Sequence, residues 1–234
     1  MSLRPSAVDR KLAAHCAWLC EISYCKSDFI DTFFDAPPVH FSNKGTDGFV
    51  SSSQWGTIVT FRGTQVTEDW SWEDIFTNFK MRMGHWHGGG RAHGGYMRAL
   101  DNVWIELIPI LNSSPRPFIY TGHSLGGALA TLASTIPPYP SEVYTFGAPR
   151  VGDSELMRTV DWASFYRIVN GIDLAPRFPS WIRGYRHPPH TRWHLVGRKL
   201  YRDPIGFFDK IKIPGLFVLG TLAHRIGQYR KNLR

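Results

Sequence analysis

The chain has 234 residues, 43% of them hydrophobic, and a formal net charge of +8. That length suits one α/β domain with a sizeable core, and the sequence holds no run of about 20 apolar residues of the kind that spans a membrane. No secretory signal is visible at the start, and the three cysteines, confined to residues 16–25, suit buried small side chains rather than a disulfide framework. We therefore expect a cytoplasmic protein.

The positive charge is concentrated in the last quarter of the chain. Residues 177–234 carry 13 Lys or Arg and 2 Asp or Glu, whereas the rest of the chain carries 14 and 17. Aromatic residues are interleaved with these charges, so the segment suits contact with anionic lipid headgroups, although a solvated basic surface is an equally simple interpretation. No nucleic-acid-binding motif accompanies the charge, and no nucleic acid partner is expected.

Hydrophobic periodicity predicts strands that alternate with helices. The predicted elements, in chain order, are helix 7–24, strand 54–61, helix 97–111, strand 117–121, helix 125–135, strands 141–146, 165–169 and 193–196, and helix 221–233. Such alternation favours an α/β fold with a mostly parallel central sheet, right-handed crossovers and flanking helices. We expect residues 1–234 to form a single domain.

The most informative motif is Gly122-His-Ser-Leu-Gly126, which lies between a strand-like run and a helix-like run. This pattern is typical of a nucleophile elbow, a tight turn that exposes a serine hydroxyl. Small residues are needed where the backbone approaches closely, and positions 122, 126 and 127 are all glycine. Free N–H groups at the helix start favour a developing oxyanion. We predict Ser124 as a nucleophile; the alternative is an ordinary glycine-rich turn.

A serine nucleophile requires a histidine base and a carboxylate, which follow it along this type of fold in the order Asp, then His. Asp173 lies in the loop that leaves predicted strand 165–169, at the sheet edge where such sites assemble. It is the best candidate, and its alternative role is to cap a turn before Pro176. The weaker rivals are Asp153, Asp161, Asp203 and Asp209.

His224 is the best candidate for the base, because it opens the last helix after an apolar run and can reach the carboxyl ends of the strands. His123 precedes the nucleophile, so its side chain should point away from the hydroxyl. His187, His190 and His194 lie in a stretch rich in Arg and Pro. The alternative for His224 is an exposed histidine at a helix start.

Six sequence blocks, in order across most of the chain, resemble the class 3 (fungal-type) lipases, which have the α/β-hydrolase fold. The blocks are residues 58–64, 92–96, 120–130, 144–152, 167–177 and 185–193. The resemblance implies Ser124 as the nucleophile, Asp173 as the triad acid and His224 as the base. It also implies that the Leu125 N–H and Thr64 form the oxyanion hole.

The same resemblance implies a structural role for His187 and a lid after the oxyanion donor, at about residues 65–84. An amphipathic helix is predicted there, with apolar residues at helical spacing. The candidate lid residues are Trp70, Trp72, Ile75, Phe76 and Phe79. The alternative is a helix packed in the core.

The activity implied is hydrolysis of acylglycerol or related lipid esters through an acyl-enzyme, with a lipid or small ester as substrate. This chemistry needs no metal or organic cofactor, and the histidine-rich stretch at 84–95 lacks a carboxylate to complete a metal site. The alternatives are a phospholipase or feruloyl-type esterase on the same fold, a non-catalytic lipid-binding module and, less in keeping with the motifs, a serine peptidase.

Overall fold

Strands and helices alternate along most of the chain, as the hydrophobic periodicity predicts. The computed structural model describes residues 7–63, 82–161, 164–189, 191–202 and 223–234. The helices in these ranges are α1 (Arg10–Ile22), α2 (Ser27–Asp31), α3 (Gly94–Ser113), α4 (Leu125–Ala133), α5 (Ser154–Thr159) and α6 (Ile226–Leu233), with 3-10 turns at Ala175–Arg177 and Trp181–Arg183. The strands are β1 (Val39–Asn43), β2 (Thr46–Ser53), β3 (Gly56–Phe61), β4 (Met83–His85), β5 (Arg91–His93), β6 (Phe118–His123), β7 (Glu142–Phe146), β8 (Phe165–Asn170), β9 (Arg192–Val196) and β10 (Lys199–Arg202).

Within the described ranges, eight strands form one sheet in the order β1-β2-β3-β6-β7-β8-β9-β10. The strands from β3 to β9 in this order run parallel, while β1, β2 and β10 join antiparallel at the two sides. β6 and β8 are buried along their whole length, as expected for parallel strands covered on both faces. The predicted mostly parallel sheet with flanking helices is confirmed.

Helices cover both faces of this sheet. On one face, α3 and α4 pack with Val59 and Tyr120; on the other, α1 and α6 pack with Ile58 and Ile119. Successive residues of a strand point to opposite faces of the sheet, so consecutive residues of β3 and of β6 belong to the hydrophobic clusters on opposite faces. No helix in the described part of the chain is both long and apolar enough to cross a membrane.

Within the described ranges, five strands (β1, β2, β4, β5 and β10) and two short helices (α2 and α5) are additional to the sequence prediction, and the last predicted helix is interrupted at Arg225. β1 and β2 have the sequences VHFSN and TDGFVSSS. Their serines and glycine weaken the alternation of apolar and polar residues on which the prediction depends. The last helix, α6, begins at Ile226, and Arg225, in an extended conformation, separates it from Ala223 and His224, which are also helical.

The carboxyl ends of the parallel strands meet at one edge of the sheet, called here the carboxyl edge. β6, β7 and β8 end there at His123, Phe146 and Asn170. The loops that follow them carry Ser124 and Asp173. In open parallel sheets, binding and catalytic sites form at this edge.

Candidate active site

Ser124 occupies a strained turn between β6 and α4. Its φ is 56° and its ψ is −123°, a conformation that residues other than glycine rarely adopt. The Ser124 N–H donates to the Phe146 carbonyl at 2.9 Å, and the Ser124 carbonyl accepts from the N–H groups of Gly127 and Ala128 at 3.0 and 3.2 Å. The hydroxyl makes no capping bond to α4. Backbone hydrogen bonds therefore hold the turn, rather than the serine side chain.

Close backbone contacts explain the glycines of this turn. A Cβ on Gly122 would lie 2.1 Å from the carbonyl carbon of Gly126, and a Cβ on Gly126 would lie 2.0 Å from the carbonyl oxygen of Phe61. The end of β3 therefore passes directly against the first turn of α4. Gly63 follows β3, and a Cβ there would lie 2.7 Å from the carbonyl oxygen of His123.

The predicted oxyanion donors are described only in part. Leu125 is the first residue of α4, so its N–H points out of the helix start and has no carbonyl in its own helix to bond. Thr64, the predicted second donor, lies outside the described residues. The candidate lid residues Trp70, Trp72, Ile75, Phe76 and Phe79 lie outside them as well.

Asp173 and His224 form a buried hydrogen-bonded pair. The Nδ1 atom of His224 lies 2.9 Å from both Oδ1 and Oδ2 of Asp173, and the two residues are 2% and 3% exposed. The Asp173 carboxylate also accepts from the Ala175 N–H at 2.9 Å and from the Tyr229 hydroxyl at 2.5 Å. An oriented carboxylate at Nδ1 keeps the proton on that nitrogen and leaves Nε2 as the basic atom.

Gly147 brings this pair close to the Ser124 turn. Its φ is 57°, and a Cβ there would lie 2.4 Å from Asp173 Oδ2 and 2.9 Å from His224 Nδ1. Gly147 directly follows Phe146, whose carbonyl accepts from the Ser124 N–H. The carboxylate of Asp173 and the imidazole of His224 therefore pack on the same stretch of backbone that anchors the Ser124 turn.

His123 contacts the candidate base from the other side. Its Nε2–H donates to the His224 carbonyl at 2.6 Å, its Nδ1 accepts from the Tyr24 hydroxyl at 2.9 Å, and the two imidazole centroids lie 4.6 Å apart. Burial, and then the neighbouring His224, hold the pKa of His123 well below its usual value. A neutral His123 therefore fixes the backbone of His224 without competing for the proton.

The remaining candidates have other partners. His187 is partly buried, and its Nε2–H donates to the Pro176 carbonyl at 2.7 Å, next to the loop of Asp173. Burial, and then nearby arginines led by Arg167, lower the pKa of His187 well below its usual value. Asp153 caps α5 by accepting from the Leu156 N–H, whereas Asp203, Asp209 and His190 lie outside the described residues. Asp161 lies just beyond α5.

The sequence prediction did not assign roles to Gly147, His123 or Tyr229. Gly147 carries a usable signal, since a glycine directly after a buried strand often marks a positive φ or a close approach. Tyr229 lies five residues after His224, within the same C-terminal segment. The contact of His123 with His224 has no local signal, because 101 positions separate the two residues in the sequence.

A cavity of about 200 Å³ opens beside the first turn of α4. It is lined by Gly45, Thr46, Asp47, Arg62, Gly63, Leu125 and Leu129. Arg62 and Asp47 form an ion pair of 3.5 Å on its wall. The cavity is therefore small, partly polar and adjacent to Leu125.

Comparisons with known proteins find similarity to lipases. The sequence model of the lipase (class 3) family matches residues 58–182. The secreted mono- and diacylglycerol lipase 1 of Fusarium solani is 31% identical over 156 residues, which cover 62% of this chain and 46% of that relative. A lipase of Rhizopus niveus is 29% identical over 171 residues, covering 65% and 42%. The chain thus spans less than half the length of these two curated relatives.

Solved structures confirm the predicted α/β-hydrolase fold. The lipase from Rhizopus microsporus var. chinensis superposes with a TM-score of 0.65 at 25% identity, covering 85% of this chain and 77% of the other. Lipase II from Rhizopus niveus superposes with a TM-score of 0.68 at 25% identity, covering 80% of each chain.

The expectation of a cytoplasmic protein is wrong. Matched relatives from Fusarium solani, Penicillium cyclopium and Malassezia restricta are named secreted lipases, which points to an extracellular location. The expectation depended on the first residues and on the cysteine count, and neither is a physical requirement for staying inside a cell. The family match covers more than half of the sequence, and the resemblance inferred from the motifs is confirmed: the chain belongs to the lipase (class 3) family.

Proposed function

We propose that this protein is a serine hydrolase that cleaves carboxylic esters of lipids outside the cell, with Ser124, His224 and Asp173 as its triad. The observation that carries the proposal is the buried Asp173–His224 pair, with hydrogen bonds of 2.9 Å, packed on the backbone that holds the strained Ser124 turn. A buried carboxylate and imidazole at this turn match the requirements for activating a serine.

In the first half of the reaction, the Ser124 hydroxyl oxygen adds to the ester carbonyl carbon while His224 Nε2 takes its proton. Asp173 stabilises the imidazolium that forms, because its carboxylate is held at Nδ1. The tetrahedral oxyanion accepts from the Leu125 N–H and, in this proposal, from Thr64. One such donor contributes about 10²–10³-fold to the rate.

Collapse of this intermediate breaks the bond to the alcohol, and His224 protonates the departing alkoxide. The acyl group is then an ester of Ser124. His224 next takes a proton from water, the hydroxide adds to the acyl carbonyl, and the carboxylic acid leaves as Ser124 regains its proton. These side chains balance every proton transfer of the cycle.

Two observations favour acylglycerols as substrates. Several relatives are named mono- and diacylglycerol lipases. The 200 Å³ cavity beside Leu125 offers the guanidinium of Arg62 and the carboxylate of Asp47, which suit the hydroxyl groups of a partial glyceride. We propose that this cavity receives the glycerol part of the substrate.

Two further proposals concern the lipid surface. The amphipathic stripe Trp72, Ile75, Phe76 and Phe79 is proposed as a lid. Covering these apolar side chains is favourable while the protein is in water, and exposing them is favourable where they meet lipid. The basic segment 177–234 is proposed to make peripheral contact with anionic lipid.

The test is an ester panel with purified protein and a Ser124→Ala control. The substrates are a short soluble ester, emulsified mono-, di- and trioleoylglycerol, and phosphatidylcholine. We expect hydrolysis of the soluble ester and of the partial glycerides, and a loss of about 10⁴-fold or more in kcat for Ser124→Ala. Equal hydrolysis by the variant would refute the assignment of the triad. Hydrolysis of phosphatidylcholine alone would show that the protein is a phospholipase rather than an acylglycerol lipase.

A further inference from the structure

The 3-10 turn Trp181–Arg183 exposes two large apolar side chains in succession. Trp181 is 59% exposed and Ile182 is 78% exposed, and the basic residues Arg183 and Arg186 are exposed beside them. We propose that this turn, called here the anchor turn, inserts into the headgroup region of an anionic lipid surface. This inference builds on the proposed function, since it names the surface on which the ester site works.

Hydrogen bonds fix the anchor turn in shape. The Ser180 hydroxyl accepts from the Ile182 N–H at 3.3 Å. The Arg186 guanidinium donates to the Trp181 carbonyl at 2.7 Å, and Gly184 closes the turn with a φ of 88°. A preformed turn loses little conformational entropy on insertion, so the exposed apolar area can act directly on binding.

The turn belongs to the carboxyl edge, where the candidate site lies. Arg150 follows β7 in the loop that contains Gly147, and it is only 5% exposed. Its guanidinium donates to the carbonyls of Arg177 and, at 2.9 Å, Pro179, just ahead of the turn. A buried cation thus ties the base of the anchor turn to the loop that supports the Asp173–His224 pair.

The charge around the turn selects an anionic surface. Residues 174–202 contain seven Lys or Arg and no Asp or Glu; of these, Arg192 is buried, whereas Arg183 and Arg186 are exposed at the turn itself. Amphipathic aromatic side chains such as Trp favour the membrane–water interface, and nearby cations attract anionic headgroups. Apolar insertion and electrostatic attraction therefore act at the same place.

Another exposed aromatic patch lacks positive charge beside its apolar side chains. Phe29 and Phe33 are exposed and contact each other edge to face at 5.1 Å. Asp28, Asp31 and Asp35 lie in the same short stretch, so an anionic surface would repel it. Ile105, on α3, is 81% exposed but stands next to Glu106, and it serves as a matched apolar control.

The experiment measures binding to sedimented phosphatidylcholine vesicles, with and without phosphatidylglycerol. All proteins carry Ser124→Ala, so no lipid is consumed. We expect the partition coefficient to fall at least about tenfold in Trp181→Ser/Ile182→Ser and to stay unchanged in Ile105→Ser. Arg183→Gln should lose about fivefold on the anionic vesicles and little on the neutral ones.

Each other outcome has a definite meaning. Equal losses in the double variant and in Ile105→Ser, or no binding by the parent protein to anionic vesicles, would refute the anchor turn. In the catalytically intact chain, Trp181→Ser/Ile182→Ser should hydrolyse a soluble ester at the normal rate, and a matching loss there would refute the anchor turn, because the two side chains would then act on the protein itself rather than on lipid binding. Failure of the parent to cleave any ester would refute the proposed function and leave the vesicle result standing.

Discussion

Replacing Gly147 by alanine should damage the triad and should also lower stability, because it displaces the Asp173 carboxylate that accepts from Tyr229. The new Cβ would lie 2.4 Å from Asp173 Oδ2 and 2.9 Å from His224 Nδ1. Optimal contact between nonbonded heavy atoms is about 3.5 Å, so the carboxylate must retreat by about 1 Å. A misplacement of about 1 Å costs on the order of 10²-fold in rate, and we expect that loss in kcat.

The matched control is Gly197→Ala. Gly197 has a φ of 56°, close to the 57° of Gly147, but a Cβ there meets no atom within 4 Å. Both variants should lose about 1–2 kcal/mol of unfolding free energy from the left-handed backbone, whereas only Gly147→Ala should lose kcat.

The assay is kcat on a short soluble ester, together with urea unfolding of each variant. If Gly147→Ala keeps its kcat while its stability falls at least as much as in Gly197→Ala, the Asp173–His224 pair is not the catalytic pair.

Three further predictions concern Tyr229 and the histidines. Tyr229→Phe should lower the free energy of unfolding by about 1.5–3 kcal/mol, because the Asp173 carboxylate loses its hydroxyl donor; urea titration measures the loss, and an unchanged midpoint would contradict the bond. His187→Ala should mainly lower the melting temperature, whereas His224→Ala should cost about 10⁴-fold in kcat; the reverse pattern would reassign the base. Stability should fall on acidification, because burial lowers the pKa values of His123 and His187, and that of His93 to about 4. The unfolded chain then takes up protons below about pH 6.5 while the folded protein does not, so the stability present above that pH is lost at up to about 1.4 kcal/mol per pH unit for each histidine. Urea unfolding from pH 7 down to pH 4 checks this, and a flat profile would mean that these histidines are protonated in the fold.

Local patterns predicted much of the fold and the candidate nucleophile. The Ser124 turn can be predicted from the sequence because its strand, glycines and helix are contiguous. Asp173 is readable because a loop at the carboxyl end of a parallel strand has a known place in the sheet.

The features of the site that the sequence did not predict depend on contacts between residues far apart in the sequence. The bond from His123 to the His224 carbonyl, and the fit of Gly147 against the Asp173–His224 pair, form only when strands far apart in sequence meet. β2 was missed for the same reason. Its hydrogen bonds to β1 and β3 define it as a strand, whereas its serine-rich sequence has only a weak alternation of apolar and polar residues.

The central claim is that Ser124 forms the covalent intermediate of ester hydrolysis. Its most direct test is mass spectrometry of the protein after reaction with an alkyl fluorophosphonate, which labels activated serines. We expect one adduct per chain, on the peptide that contains Ser124, formed in step with the loss of ester hydrolysis and absent from Ser124→Ala. Hydrolysis that continues after Ser124 is fully labelled, or an adduct on another residue that accounts for the inhibition, would contradict the assignment.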